Sequence, residues 1–159
     1  MQTPANAKGF GRPWIALCVA FALHVLDEAT TGFLPVYNAT VIAARERWGW
    51  FPMPTFAYRR WLTLLIVGVV FCFALTPLAS QGARRMRLFA WFLAILHFFN
   101  ATGHTVATIL GHTFPSVTFP RPALGFYSSP LLYIGSIWLI ARLWQSSPGN
   151  SQHSAAAAR

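Results

Sequence analysis

Acidic residues are the first feature that suggests chemistry, because the 159-residue sequence contains only three of them. Asp27 and Glu28 lie inside or at the end of a long apolar stretch, and Glu46 stands between two arginines. A charged side chain within a membrane span costs at least ~2.5 kcal/mol on insertion scales, so it is usually paired and functional. Asp27 and Glu28 are therefore functional candidates, and Glu46 is interpreted as a solvated surface charge.

Two apolar stretches each carry polar side chains on one side. With about 100° of rotation per helical residue, the first stripe comprises His24, Asp27, Glu28 and Thr31. The second stripe comprises His97, Asn100, His104, Thr108 and Gly111. The sequence thus predicts two polar faces on otherwise apolar helices.

The two polar faces are predicted to lie at the same depth. In a four-span protein the first and third spans run parallel, and the predicted starts are Pro13 and Leu88. At ~1.5 Å rise per residue, the position of His24 then matches Asn100, and Glu28 matches His104. If the two helices are neighbours, the polar groups meet in the outer half of the membrane.

Imidazoles and a carboxylate form a ligand set for a divalent metal ion, most commonly zinc. His24 and Glu28 are spaced to chelate from one helical turn, and His104 would supply a third ligand. A fourth position would hold water, whose pKa the metal lowers towards ~7. The predicted catalytic residues are Glu28 with Asp27 and Asn100, the last two orienting ligands or acting as base. The alternative is that the same side chains simply hydrogen-bond between helices.

Four further residues are candidates for a supporting role. His97 lies deeper on the third span and could be an additional site residue or only hydrogen-bond a neighbour. Tyr127 and Tyr133 belong to the fourth span, and their hydroxyls could bind a substrate headgroup or anchor the helix at the interface. Arg121 in the preceding loop could hold an anionic group.

Composition predicts the elements that position these residues. The chain is 55% hydrophobic and 9% charged, whereas a soluble domain carries about 25% charged residues. The predicted fold is all-α, an integral membrane four-helix bundle in one domain over 13–144. A basic leader, 1–12, precedes it and a disordered tail, 145–159, follows. The predicted spans are 13–34, 61–78, 88–114 and 125–144.

Residues 35–58 are predicted to lie in the headgroup region. The first part can form a short amphipathic helix, and the second part, with prolines at 52 and 54, cannot. Trp48, Trp50, Arg45 and Arg47 suit such an interfacial position.

The formal net charge of +9 raises the question of nucleic-acid binding. The basic residues, however, stand at the ends of apolar segments, where they anchor spans at headgroups, so the expected partner is the lipid bilayer and not nucleic acid. The tight group Arg84, Arg85 and Arg87 favours a cytoplasmic N-terminus and C-terminus in a plasma (inner) membrane. Assembly into a homo-oligomer is left open.

The two polar motifs resemble those of a known family. His24-Val25-Leu26-Asp27-Glu28 resembles the signature of the HXXEE family of small polytopic membrane proteins, with Asp27 in place of the first acid. Asn100-Ala101-Thr102-Gly103-His104 is similar to that family's second motif. The family's third motif, Tyr-x-Pro-Gly, is replaced here by Pro120-Arg121-Pro122-Ala123. The resemblance covers about 13–144 and implies an integral membrane protein with a suspected enzymatic site and no assigned reaction.

Three functions follow from this combination. The first is a metal-dependent membrane enzyme, with a hydrolase-type reaction on a lipid-like or other apolar substrate. The second is ion or proton transport along the same polar residues. The third is an accessory subunit whose polar faces bind a partner helix.

Overall fold

The computed structural model describes residues 9–146, and the fold is all-α apart from one two-stranded antiparallel hairpin. The elements are α1 Gly11–Thr31, α2 Phe33–Trp48, α3 Tyr58–Ala74, α4 Thr76–Gln81, α5 Arg84–Leu110, β1 His112–Phe114, β2 Val117–Thr118 and α6 Ser129–Gln145. Most of the predicted basic leader and nearly all of the predicted disordered tail lie outside the described residues.

Within residues 9–146, three helical segments are long and apolar enough to cross a membrane: Gly11–Thr31, Tyr58–Gln81 and Arg84–Leu110. Only 11% of the most apolar window in Tyr58–Gln81 is buried inside the protein, so its apolar side chains face outward. The prediction of an all-α chain with helices of membrane length is confirmed. The predicted fourth span corresponds to α6, which has 17 residues.

The helices pack around α6 and α1. Helix α6 contacts both α1 and α5, and α1 also contacts α3 and α4. The core between them is apolar and includes the fully buried Trp14, Leu17, Leu132 and Leu139. Gly135 allows α1 and α6 to approach closely, since a Cβ there would lie 3.1 Å from the Cα of Leu17. The backbones of helices α1 and α5 approach each other at few points, and the two helices meet mainly through their side chains.

The helix ends differ from the predicted span limits. Helix α5 runs from Arg84 to Leu110, so the prediction of 88–114 was displaced towards the C-terminus. Its end is set by Gly111, whose φ of 76° is left-handed, a common way for a helix to stop. Helix α1 likewise ends at Thr31 and not at 34, because Gly32 takes φ 79° and starts α2 in a new direction.

The other limits differ for similar reasons of local chemistry. The segment formed by α3 and α4 runs from Tyr58 to Gln81 and extends three residues beyond the predicted 61–78 at each end. Polar and basic residues continue the helix past the apolar run. Helix α6 starts at Ser129 and not at 125, because residues 124–128 form a turn. Within the predicted interfacial segment, α2 is helical and residues 49–57 are not.

Candidate functional site

One group of side chains in the described part of the chain is arranged as a metal site could be: His24, Glu28 and His104. Oε1 of Glu28 is 3.3 Å from Nε2 of His24 and 3.2 Å from Nε2 of His104. All three possible ligand atoms lie within 4.8 Å of one another. The residues are buried, with exposed fractions of 1%, 6% and 5% respectively. The predicted ligand set is thus brought together at one point.

The site lies where the C-terminal halves of α1 and α5 meet. His24 and Glu28 are one turn apart on α1, and His104 faces them from α5 with its ring centroid 4.9 Å from that of His24. Asn100, one turn before His104, places its Nδ2 3.1 Å from Nε2 of His24. Both predicted pairs, His24 with Asn100 and Glu28 with His104, are therefore in contact.

The start of α6 closes the site from the opposite side. Asp27 Oδ2 accepts hydrogen bonds from the backbone N–H of Ser128 at 2.9 Å and from its hydroxyl at 2.8 Å. Ser128 Oγ is also 2.7 Å from Nδ1 of His24 and 3.3 Å from the carbonyl of Gly125. Asp27 therefore acts on His24 through Ser128, which lies between the two side chains.

This chain of contacts fixes the tautomer of a neutral His24. The hydroxyl of Ser128 has one proton, and the short bond to Asp27 uses it, so Ser128 must accept the proton of His24 Nδ1. Nε2 of His24 then carries a lone pair, which faces the amide of Asn100 and the carboxylate of Glu28. Two electron-rich atoms therefore stand 3.3 Å apart with no proton between them in this tautomer.

Gly125 is required for the three-sided packing of the site. It has a φ of 82°, and a Cβ at this position would lie 2.6 Å from Cε1 of His104 and 3.1 Å from Cγ of Glu28. No side chain fits there, and the loop can pass directly over the imidazole and the carboxylate only because this residue is glycine.

Helix α2 and residues 49–57 cover the same end of the molecule. Asn38 binds both the N–H and the carbonyl of Phe56, at 3.0 Å and 2.9 Å, and Tyr37 donates to the carbonyl of Pro54 at 3.0 Å. Partial burial raises the pKa of the Tyr37 hydroxyl, which keeps it a neutral donor, although the nearby Arg45 has the opposite effect. These bonds hold 49–57 against α2 as one folded unit.

His97 and Tyr133 lie outside the cluster. The ring of His97 is buried against Phe21 with centroids 4.5 Å apart, and neither ring nitrogen has a hydrogen-bond partner within residues 9–146. Tyr133 donates to the hydroxyl of Thr102 at 3.0 Å and thereby links α6 to α5. Neither side chain is among the three that converge.

Arg121 and Tyr127 also lie away from His24, Glu28 and His104. Arg121 donates to the carbonyl of Leu110 at 2.8 Å, so it caps the C-terminus of α5, where a cation is favoured by the helix dipole. Tyr127 has 68% of its surface exposed. Its ring contacts that of Phe126, with centroids 6.4 Å apart.

Sequence reasoning did not assign central roles to three residues at the site. Ser128, Gly125 and Phe33 are not among the candidate residues predicted above. The ring of Phe33 lies 5.1 Å from that of His104 and closes the site from α2. A glycine ending a proline-rich loop is the one visible signal for Gly125, and the sequence offers none for Phe33.

No protein-family model matches the chain, and no curated protein or solved structure is significantly similar to it. The resemblance to the HXXEE family therefore stays a prediction that rests on the two polar motifs.

Proposed function

We propose that the chain is an integral membrane enzyme in which His24, Glu28 and His104 bind a divalent metal ion, with zinc the best fit. Its reaction is of the hydrolase type and its substrate is lipid-like. The four spans are α1, α3 with α4, α5, and α6, and α2 lies in the headgroup region. The HXXEE resemblance supports the same residues.

The observation that carries this proposal is the meeting of three possible ligand atoms in a buried place. In the tautomer set by Ser128, Nε2 of His24 has no proton to donate to the Glu28 carboxylate, and His104 Nε2 approaches the same oxygen. In this tautomer a proton on His104 Nε2 can satisfy one of these two contacts, whereas a metal ion would bind all three atoms. A tetrahedral zinc ion with bonds of ~2.0–2.1 Å separates its ligand atoms by roughly 3.3 Å, and both measured contacts to Glu28 are close to that value.

The surrounding residues suit catalysis as well as binding. A divalent ion at this place would supply Lewis-acid activation of a carbonyl and of water. The amide N–H groups of Asn100 point into the site and can donate to a developing oxyanion. Asp27 and Ser128 hold the proton of His24 on Nδ1, which keeps Nε2 available as a ligand.

The position of the site favours an enzyme over a transport path. The buried residues below it, towards the start of α1, are mostly apolar and include Leu17, Leu93, Leu132 and Trp14, with His97 and Ser136 as isolated polar side chains. A proton or ion would need polar groups across that region. With the basic start of α5 on the cytoplasmic side, the site would lie in the outer half of the membrane.

Metal content is the direct test of this proposal. The protein purified in mild detergent should contain close to one equivalent of zinc, or of another divalent metal, by elemental mass spectrometry. His24→Ala and His104→Ala should each lose it while remaining folded. His112→Ala is the matched control, because His112 lies in β1 outside the cluster. Native protein that stays metal-free after reloading would refute the metal centre.

Ser128→Ala tests the chain of contacts behind His24. The substitution removes the acceptor of the Nδ1 proton and one of the two donors to Asp27. Loss of such an outer contact typically lowers metal affinity by about 10–100-fold. A zinc titration against a chromophoric chelator should show this decrease with unchanged stoichiometry. Ser129→Ala is the control, because the hydroxyl of Ser129 donates to the carbonyl of Gly125 and not to the cluster. Equal zinc affinities of Ser128→Ala and Ser129→Ala would contradict a role of Ser128 in holding His24.

A further inference from the structure

A cleft between α2 and α5 leads directly to the site. Its volume is about 290 Å³, and its inner lining includes His104 and Asn100. Phe33, Val36 and Tyr37 of α2 form one wall, and Phe99 and Ala107 of α5 belong to the other. The cleft therefore joins the metal-binding cluster to the outer surface of α5.

Gly103 indicates that the cleft is kept open for a ligand. It lies in the interior of α5 and lines the cleft, and a Cβ at this position would have no neighbour within 4 Å. Its φ is not in the left-handed region, so neither backbone conformation nor close helix packing requires glycine here. Glycine is unfavourable in the interior of a helix. We therefore interpret its role here as keeping the cleft beside it open.

The character of the lining identifies the chemistry of the occupant. Among the residues that the structure describes, no Asp, Glu, Lys or Arg lines the cleft, and aromatic and aliphatic side chains predominate. Phe99 at its edge has 65% of its surface exposed and belongs to a segment apolar enough to cross a membrane. A ligand can therefore enter sideways from the hydrocarbon region without passing through water. The volume is near the lower limit of ~300–1,000 Å³ for ligand pockets, which suits one flexible chain.

We propose that this cleft binds a single acyl chain of a membrane lipid, which enters between α2 and α5 and brings its carbonyl group to His104 and Asn100. The inference deepens and rests on the proposed function, because it takes the chain as embedded in a bilayer and the cluster as the reacting centre. Thr40 and Thr113, whose hydroxyl oxygens are 2.6 Å apart, also line the cleft and add polar groups to its wall.

Photolabelling can locate the chain. The purified protein would be reconstituted into phosphatidylcholine nanodiscs containing a phosphatidylcholine with a diazirine on one acyl chain, and adducts would be mapped by peptide mass spectrometry. We expect adducts on Tyr37 and Ala107, which line the cleft and are only partly exposed. Exposed residues of α3 such as Val67 would report general contact with lipid.

Gly103→Leu is the decisive variant, because Gly103 lines the cleft and the first atom of the new side chain would have no neighbour within 4 Å. Labelling of Tyr37 and Ala107 should fall on the order of tenfold, as expected when a few methylene groups lose their apolar site, while labelling of Val67 stays unchanged. Gly68→Leu is the matched control, because Gly68 lies outside the cleft and its added Cβ would make an ordinary contact with Phe21. Equal labelling of the cleft in Gly103→Leu and native protein would overturn the proposal.

Zinc content measured on the same samples separates this inference from the function on which it rests. Bound zinc with an unlabelled cleft would overturn the acyl site and leave the metal centre intact. A labelled cleft that Gly103→Leu blocks, in a protein that binds no metal, would support the acyl site and refute the metalloenzyme.

Discussion

Glu28→Gln is expected to be more stable than native protein when both are metal-free, and less stable than native protein when zinc is present. Without metal, the native carboxylate is buried beside the unprotonated Nε2 of His24, with only His104 Nε2 left as an imidazole donor to it, and a buried charge with few partners is costly. Glutamine has the same shape, carries no charge and can donate a hydrogen bond to one Nε2. The metal-free variant should therefore be more stable than the metal-free native protein, by about 1–3 kcal/mol.

With zinc, the order should be the opposite. An amide is a poor zinc ligand, so the affinity of Glu28→Gln should fall by more than about 100-fold, the upper end of what loss of an outer contact costs. Native protein gains stability from bound metal by mass action, and the variant gains little. Thermal unfolding in detergent with a chelator and with added zinc measures both states.

Glu46→Gln provides the control for this pair of measurements, because Glu46 is exposed on α2. It should change neither transition appreciably. If the metal-free Glu28→Gln protein were less stable than metal-free native protein, the Glu28 carboxylate would be stabilising the metal-free fold through its hydrogen bonds. That result would contradict a site built for a cation.

The pairing of the two polar motifs could be predicted because it depends on quantities that the sequence contains. Helical rise and the apolar limits of the first and third spans determine depth, and both helices run in the same direction. His24 therefore met Asn100, and Glu28 met His104, as expected. An error of a few residues in both span limits did not matter, because the start of each helix was displaced in the same direction.

The third side of the site could not be predicted because it comes from the packing order of the helices. Helix α6 lies against both α1 and α5, and this order depends on local shape, such as the close approach of Gly135 to Leu17. Periodicity reveals which face of a helix is polar but not which neighbour it receives. The contact of Asp27 with Ser128 was therefore not foreseen, although Asp27 had been predicted to orient ligands or to act as base.

Helix ends at glycine were a second source of error. The apolar character continues past Gly32 and Gly111, so composition extended both spans, while the backbone turns at each glycine with a positive φ. The turn at Gly32 has a functional consequence, because it directs α2 back over the site and places Phe33 against His104.

Gly125→Ala should destroy the site although residue 125 binds nothing itself. The new Cβ would lie 2.6 Å from Cε1 and 3.0 Å from Nδ1 of His104, and 3.1 Å from Cγ of Glu28. Two ligands would have to move, or the loop before α6 would have to lift and carry Ser128 away from Asp27. We expect a loss of about 2–5 kcal/mol in the free energy of unfolding, from overpacking of ~1–3 kcal/mol and left-handed strain of ~1–2 kcal/mol.

Gly32→Ala separates the two contributions. Gly32 has nearly the same φ, 79° against 82°, but its Cβ would have no neighbour within 4 Å, so only the strain applies. Unfolding in detergent should therefore show the smaller loss for Gly32→Ala, and its zinc content should match that of native protein. Gly125→Ala should bind zinc at least about 100-fold more weakly, because a displaced imidazole removes one of three ligands. Equal zinc affinity of the two variants would mean that the loop yields without moving His104, and the three-sided packing would then not be what holds the ligands in place.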